Sequence, residues 1–246
     1  MIVDGLGNKT FEITSFLMVG QSNMAGRGNL DEVEPIKNDN LYMLRMGRWQ
    51  KHSEPVNPDR PVTKGEFHSG VGLASSFADD YSKHFGCKAG LIPCADGGTE
   101  ILQWMPGEIL FDHAVFMANL AQRTSKLGGI IWHQGEGDCN AKCIDFYKER
   151  FITMMTEMRK QIGAEELPLI IGELSLDVDG NRWKHVEYAA RMNSIFHEIA
   201  KEMPRCAVVS SEGITIKKSD GLHFDSKGSR EFGHRYFEKY LEIFGG

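Results

Sequence analysis

The sequence has no long apolar run, no surplus of positive charge and little cysteine, and each absence excludes a class of protein. None of its apolar runs approaches the roughly 20 residues that a helix needs to cross a bilayer, so we expect no membrane span. Its 34 aspartates and glutamates outnumber 28 lysines and arginines, and the net charge of -6 argues against a nucleic-acid-binding protein. The hydrophobic fraction of 41% excludes an intrinsically disordered chain.

Cysteine is sparse and odd in number, and no pair has the CxxC spacing of a zinc or redox site. We therefore interpret the five cysteines as reduced thiols rather than as a disulfide framework. The first residues, MIVDGLGNKTFEITS, have neither a basic start nor an apolar core, so no secretory signal is visible. We expect a cytoplasmic protein, or a secreted one if a leader was removed.

Short apolar segments, nearly continuous rather than alternating, predict five strands that are buried on both faces. They lie at 15–20, 89–93, 129–132, 167–172 and 206–210. Apolar residues at helical spacing predict helices at 73–85, 113–127, 144–162, 186–203 and 226–244. Because strands and helices alternate, the sequence predicts an α/β fold, a three-layer α/β/α sandwich with a five-stranded parallel sheet. We expect a single domain over residues 1–246, in which the long irregular segment 29–71 is a binding loop or lid, or else disordered.

The first predicted strand is followed directly by GQSNMAG at 20–26. In parallel α/β sheets, ligands bind at the carboxyl ends of the strands, so Ser22 is placed to direct its hydroxyl into that crevice. The alternative interpretation is that Ser22 caps the following helix. The segment matches neither the phosphate-binding loop nor the dinucleotide-binding fingerprint.

Two more predicted strands lead into glycine-containing segments. CADGGT at 94–99 places Gly97 and Gly98 where a backbone N–H can face the crevice, or where the chain simply turns. WHQGEGD at 132–138 places the amide of Gln134 at a strand end.

The same segment contains residue types that bind metals, namely His133, Glu136 and Asp138. Neighbours in an extended segment point to opposite faces, and no second histidine cluster is present to complete a site. We therefore expect no metal.

Near the end of the chain, Asp220 stands three residues before His223. Folded back in a turn, the carboxylate of Asp220 can accept the Nδ1–H of His223 and leave Nε2 free to take a proton. Otherwise the two are a turn residue and a polar residue flanking a helix. Together the four segments supply a nucleophile, a base, its orienting group and oxyanion donors, which are the parts needed for acyl transfer.

The blocks GQSNMAG, PCADGGT, WHQGEGD and DGLHF resemble, in this order, those of the SGNH (GDSL-like) hydrolase superfamily. They are most similar to its sialate O-acetylesterase and family 6 carbohydrate esterase group, which includes acetylxylan esterases. The G-x-S-x-G elbow of ordinary α/β-hydrolases is absent. The resemblance implies a flavodoxin-like SGNH hydrolase fold and a serine esterase without metal or organic cofactor.

The resemblance also implies roles for individual residues. Ser22 would be the nucleophile, His223 the base and Asp220 its orienting partner. The proposed oxyanion donors and the supporting residues of the motifs are the backbone N–H of Ser22, a glycine N–H from Gly97 or Gly98, the side chain of Gln134, and Gln21, Asn23 and Glu136.

The expected substrate is a small acetylated carbohydrate: acetylxylan, an acetylated oligosaccharide or O-acetyl sialic acid. An SGNH lipase or thioesterase acting on longer acyl chains and a non-catalytic carbohydrate-binding domain are the alternatives. Trp49 in the long segment is a candidate platform for a sugar ring, or else it seals the segment against the core. The oligomeric state stays open.

Overall fold

The computed structural model describes residues 12–58, 69–177 and 186–244, and in these residues seven strands form one sheet. The strands are β1 (Ile13–Gly20), β2 (Leu41–Arg45), β3 (Arg48–Lys51), β4 (Lys88–Pro93), β5 (Lys126–His133), β6 (Leu169–Gly172) and β7 (Cys206–Val209). Their order across the sheet is β3-β2-β4-β1-β5-β6-β7, and every neighbouring pair is parallel except β2 and β3. The α/β fold with a mostly parallel sheet is confirmed.

Helices cover both faces of this sheet. They are α1 (Ser22–Ala25), α2 (Leu73–Phe85), α3 (Ile109–Ala121), α4 (Ile144–Gln161), α5 (Val186–Glu202) and α6 (Ser226–Phe244). Alternate side chains of β1 enter two separate cores: Leu17 packs with α3, α4 and α5, whereas Phe16 packs with α2 and α6. Burial on both faces is the reason why the central strands are continuously apolar. No helix in the described part of the chain is long and apolar enough to cross a membrane.

The strand count differs from the predicted five because segment 29–71 contributes the β2–β3 hairpin at one edge of the sheet. Met46 and Gly47 form its turn with positive φ angles of 51° and 73°, and β3 is exposed except at Trp49. Such an edge strand buries one face only, so it lacks the continuous apolar run that predicted the other strands. The Trp49 indole is buried and donates to Thr124 Oγ1 at 3.2 Å, so it seals the hairpin against the core rather than offering a sugar platform.

The predicted bounds of α2 and α6 are confirmed, whereas α3 begins and ends earlier than predicted. Residues 126–127, which the helical periodicity included, already belong to β5. Although it lies on the helix α4, the aromatic side chain of Phe146 is 52% exposed. Of segment 29–71, residues 59–68 lie outside the described part of the chain. All five cysteines are described, and none forms a disulfide.

Candidate active site

The nucleophile candidate lies where β1 ends, next to the end of β5. Gly20 has a φ of 133°, and a side chain here would collide with the backbone carbonyl of His133. Gln21 N–H donates to that same carbonyl at 2.9 Å, which ties the ends of the two strands together. Ser22 follows as the first residue of α1 and is 6% exposed. A glycine is therefore required two residues before the serine for the chain to turn this closely against β5.

The structure brings Ser22, His223 and Asp220 together, although the chain separates serine and histidine by 201 residues. His223 Nε2 lies 2.9 Å from Ser22 Oγ, and His223 Nδ1 lies 3.1 Å from Asp220 Oδ2. The other carboxylate oxygen, Oδ1, accepts the backbone N–H groups of Leu222 and His223, each at 3.0 Å. Asp220 thus shapes the turn with one oxygen and orients the imidazole with the other.

Burial favours a neutral imidazole at His223, and hydrogen bonds favour an ionised carboxylate at Asp220 near pH 7. Burial lowers the pKa of His223, and the positive charge of Arg27 lowers it further, whereas Asp220 and Glu136 act in the opposite direction. Burial alone would raise the pKa of Asp220, but hydrogen bonds from His223 and Leu222 outweigh it and lower the pKa. A neutral histidine that bonds to a serine hydroxyl is in the state required of a general base.

The two candidate glycines lie in different surroundings. A Cβ on Gly97 would lie 3.4 Å from Ser22 Cβ and 2.5 Å from Nη2 of Arg27, so this residue adjoins the nucleophile. A Cβ on Gly98 would meet nothing within 4 Å, and its φ of 69° allows the turn after β4. The geometry therefore favours Gly97 over Gly98 as the glycine beside the Ser22 side chain.

Gln134 differs from the expectation for an oxyanion donor, because both hydrogens of its buried amide are already donated. Nε2 donates to Thr99 O at 2.9 Å and to Asp138 Oδ2 at 2.7 Å, while Oε1 accepts the hydroxyl of Tyr147 at 2.9 Å. In this geometry Gln134 braces the loops that follow β4 and β5.

The supporting residues of the motifs form a buried polar network around the serine. Gln21 Oε1 accepts backbone N–H groups of Gly135 at 3.4 Å and Gly137 at 3.2 Å. Asn23 donates through Nδ2 to Glu136 Oε1 at 2.7 Å. The nucleophile turn is therefore fixed to the loop after β5 by the side chains on both sides of Ser22.

Sequence reasoning considered Asp138 only as a metal ligand, whereas the structure gives it a bracing role. Its Oδ2 also accepts the N–H of Ile101 at 2.8 Å, and burial raises the pKa of its carboxyl to about 6. The spacing of four residues between Gln134 and Asp138 is the sequence signal that would have revealed the contact between these two side chains. His133 Nε2 lies 3.4 Å from Glu136 Oε1, but no three His, Cys, Asp or Glu side chains among the described residues are grouped to hold a metal ion.

Comparisons with known proteins show what this chain is similar to. The model of a family described as carbohydrate esterase, sialic acid-specific acetylesterase, matches residues 12–242. A probable carbohydrate esterase of Arabidopsis thaliana is 26% identical over 252 residues, which cover 93% of this chain and 90% of that protein. The X-ray structure of the Arabidopsis protein superposes with a TM-score of 0.82 at 23% identity, covering 96% of this chain and 100% of the other.

Two further solved structures share the fold. The crystal structure of NanS gives a TM-score of 0.74 at 15% identity and covers 97% of this chain and 99% of its own. A carbohydrate acetylesterase from Xanthomonas citri gives a TM-score of 0.57 at 18% identity, covering 96% of this chain and 57% of the other. At these identities the likeness shows a shared fold alone.

Proposed function

Because this chain belongs to the carbohydrate esterase family of sialic acid-specific acetylesterases, we propose that it removes O-acetyl groups from a sugar through an acetyl-enzyme on Ser22. The observation that carries this proposal is the hydrogen-bonded series from Ser22 Oγ through His223 to Asp220. It lies at the carboxyl ends of β1 and its neighbours, where ligands bind in parallel α/β sheets.

The proposed reaction is a double displacement. His223 Nε2 takes the hydroxyl proton as Ser22 Oγ attacks the acetyl carbonyl, and Asp220 stabilises the resulting imidazolium. The tetrahedral intermediate collapses when the bond to the sugar oxygen breaks, and His223 gives its proton to that oxygen. Water then attacks the acetyl-enzyme by the same route, which releases acetate and restores Ser22.

The oxyanion of both intermediates needs donors that are in place before the reaction begins. We assign this role to the backbone N–H groups of Ser22 and Gly97. The support for Gly97 is its closeness to Ser22, which Gly98 lacks. We assign Gln134 a supporting role, since its amide hydrogens are donated to Thr99 and Asp138.

Among acetylated sugars, we propose O-acetyl sialic acid as the first candidate, since the matching family is described as specific for sialic acid. The positive charge of Arg27 beside Gly97 and near His223 is compatible with a sugar that carries a carboxylate. Acetylxylan and neutral acetylated oligosaccharides are the other members of the substrate panel.

Release of acetate from these three substrates tests the proposal. The intact protein is expected to release acetate, and Ser22→Ala is expected to lower turnover by about 10⁶-fold because the nucleophile is lost. Ser194→Ala is the matched control, since this serine lies exposed on α5, and it should keep full activity. Retained activity in a folded Ser22→Ala protein would refute the proposal, and faster hydrolysis of octanoyl than of acetyl esters would favour a lipase or thioesterase.

A further inference from the structure

The residue after the nucleophile reaches toward the residue after the base. Asn23 is 4% exposed, and its Oδ1 accepts the backbone N–H of Phe224 at 3.0 Å. Phe224 directly follows His223, just as Asn23 directly follows Ser22. The two turns that carry the reacting atoms are thus joined twice, once by the Ser22–His223 hydrogen bond and once by Asn23.

These two connections differ in what happens to them during a reaction. The bond between Ser22 Oγ and His223 Nε2 must break when the proton moves and the serine oxygen becomes acylated. The bond between Asn23 and the Phe224 N–H takes part in no chemical step, so it can persist from one intermediate to the next. A permanent contact beside a transient one is suited to hold the distance between the reacting atoms.

The direction of the Asn23 amide is fixed by its two partners. The backbone N–H of Phe224 can only donate, so it bonds to the amide oxygen of Asn23. The amide nitrogen of Asn23 donates to the carboxylate of Glu136 at 2.7 Å. Glu136 is itself buried, and His133 Nε2 lies 3.4 Å from the same carboxylate oxygen. A charge-assisted bond in such surroundings is stronger than a neutral one and leaves one orientation of the amide.

We propose that Asn23 is a positioning residue that keeps Ser22 Oγ and His223 Nε2 in register, with Glu136 holding its amide in the required orientation. This inference rests on the proposed esterase function of the same site. Asn23 touches neither the scissile ester nor the proton in transit, and it acts only through the two turns that it joins.

A swap of donor and acceptor tests the proposal. Asn23→Asp keeps the oxygen that accepts the N–H of Phe224 but sets a carboxylate against the carboxylate of Glu136. Because the two carboxylates repel each other, the turns that carry Ser22 and His223 should separate, and kcat should fall by about 10²-fold. Adding Glu136→Gln lets the new glutamine donate to the new aspartate, which rebuilds the connection with the roles exchanged. The double variant should therefore recover most of the lost kcat, while KM for p-nitrophenyl acetate stays within about twofold throughout.

The readout is kcat per active site, with the number of competent serines titrated by a phosphonate ester and folding checked by thermal unfolding. Rates are compared on the pH plateau of each variant, so that a shifted histidine pKa does not enter the comparison. A double variant no faster than Asn23→Asp would overturn the proposal, as would a kcat for Asn23→Ala equal to that of the unaltered protein. If the unaltered protein has no esterase activity and takes up no phosphonate, the proposed function fails, which is a different result.

Discussion

The serine and the histidine of the site are held by two regions that differ in burial. Ser22 lies in a turn whose side chains are nearly all buried, and Gln21 and Asn23 bind the loop after β5. The turn that carries His223 is more open, and the side chain of Asp220 is 37% exposed. Ser22, the proposed nucleophile, is thus fixed by contacts between distant segments, whereas His223, the proposed base, is oriented largely by hydrogen bonds within its own turn.

This difference separates two kinds of substitution. A change in the open turn of the base removes few buried contacts, so we expect it to reduce turnover with little loss of stability. A change in the buried network beside the nucleophile leaves polar atoms without partners, so we expect it to reduce stability as well. The difference between the two regions is therefore tested by measuring both turnover and stability in variants of each region.

Among substitutions that leave Ser22 in place, the largest effect is expected at Asp220. Asp220→Asn should lower kcat by about 10⁴-fold, since an amide cannot hold the imidazole in the required tautomer and stabilise its charge. Its Oδ1 can still accept the two backbone N–H groups of the turn, so thermal unfolding should shift little. Asp225→Asn is the matched control, because that carboxylate binds Thr215 and Gly228 instead. Equal losses of kcat in both variants would contradict the assignment.

The next effect distinguishes the two glycines after β4. Gly97→Ala should lower kcat by about 10–100-fold, because the new methyl group displaces Arg27 and crowds Ser22. Gly98→Ala meets no atoms but forces a side chain onto a φ of 69°, so it should cost about 1 kcal/mol of stability and leave kcat nearly unchanged. Kinetics and urea unfolding of both proteins provide the measurement. A larger loss of kcat in Gly98→Ala would exchange the roles of the two residues.

Substitution of Gln134 tests the expected loss of stability in the buried region of the site. Gln134→Leu leaves Thr99 O and the carboxylate of Asp138 without their shared donor, and we expect a loss of about 2–3 kcal/mol in the free energy of unfolding. Gln161→Leu on the exposed end of α4 is the control and should change it by less than about 0.5 kcal/mol. If Gln134→Leu keeps full stability while kcat falls by about 10²–10³-fold, Gln134 serves as an oxyanion donor after all.

The smallest effect concerns pH. Since His223 must be neutral to act as the base, and burial lowers its pKa, the acid limb of kcat/KM should lie below the usual range of histidine. Arg27→Met removes a positive charge that lowers this pKa, so the limb should move to higher pH, in the direction in which the unchanged carboxylates of Asp220 and Glu136 already shift it. Arg48→Met on the exposed edge strand should leave the profile in place. A shift of the Arg27 variant to lower pH would contradict this account of the charges.

The sequence predicted the α/β fold more successfully than the edge of the sheet and the side-chain contacts of the candidate site. Continuous apolar runs identified the strands covered on both faces, but the β2–β3 hairpin lies at an edge and has no such pattern. Motif residues after the strands pointed to the place where Ser22 and His223 meet. The contact between Gln134 and Thr99 was not predictable, because the two residues are 35 positions apart in the chain.

We propose that Ser22 Oγ carries the acetyl group of the acetyl-enzyme, and covalent labelling tests this role most directly. A phosphonate ester with a p-nitrophenyl leaving group should release p-nitrophenolate and add the mass of its phosphonyl group to one serine, with loss of activity in proportion to labelling. Peptide mapping should find the label on the tryptic peptide that ends at Arg27, and Ser22→Ala should remain unlabelled. A label on another serine, or inactivation of the Ser22→Ala protein at an undiminished rate, would contradict the account.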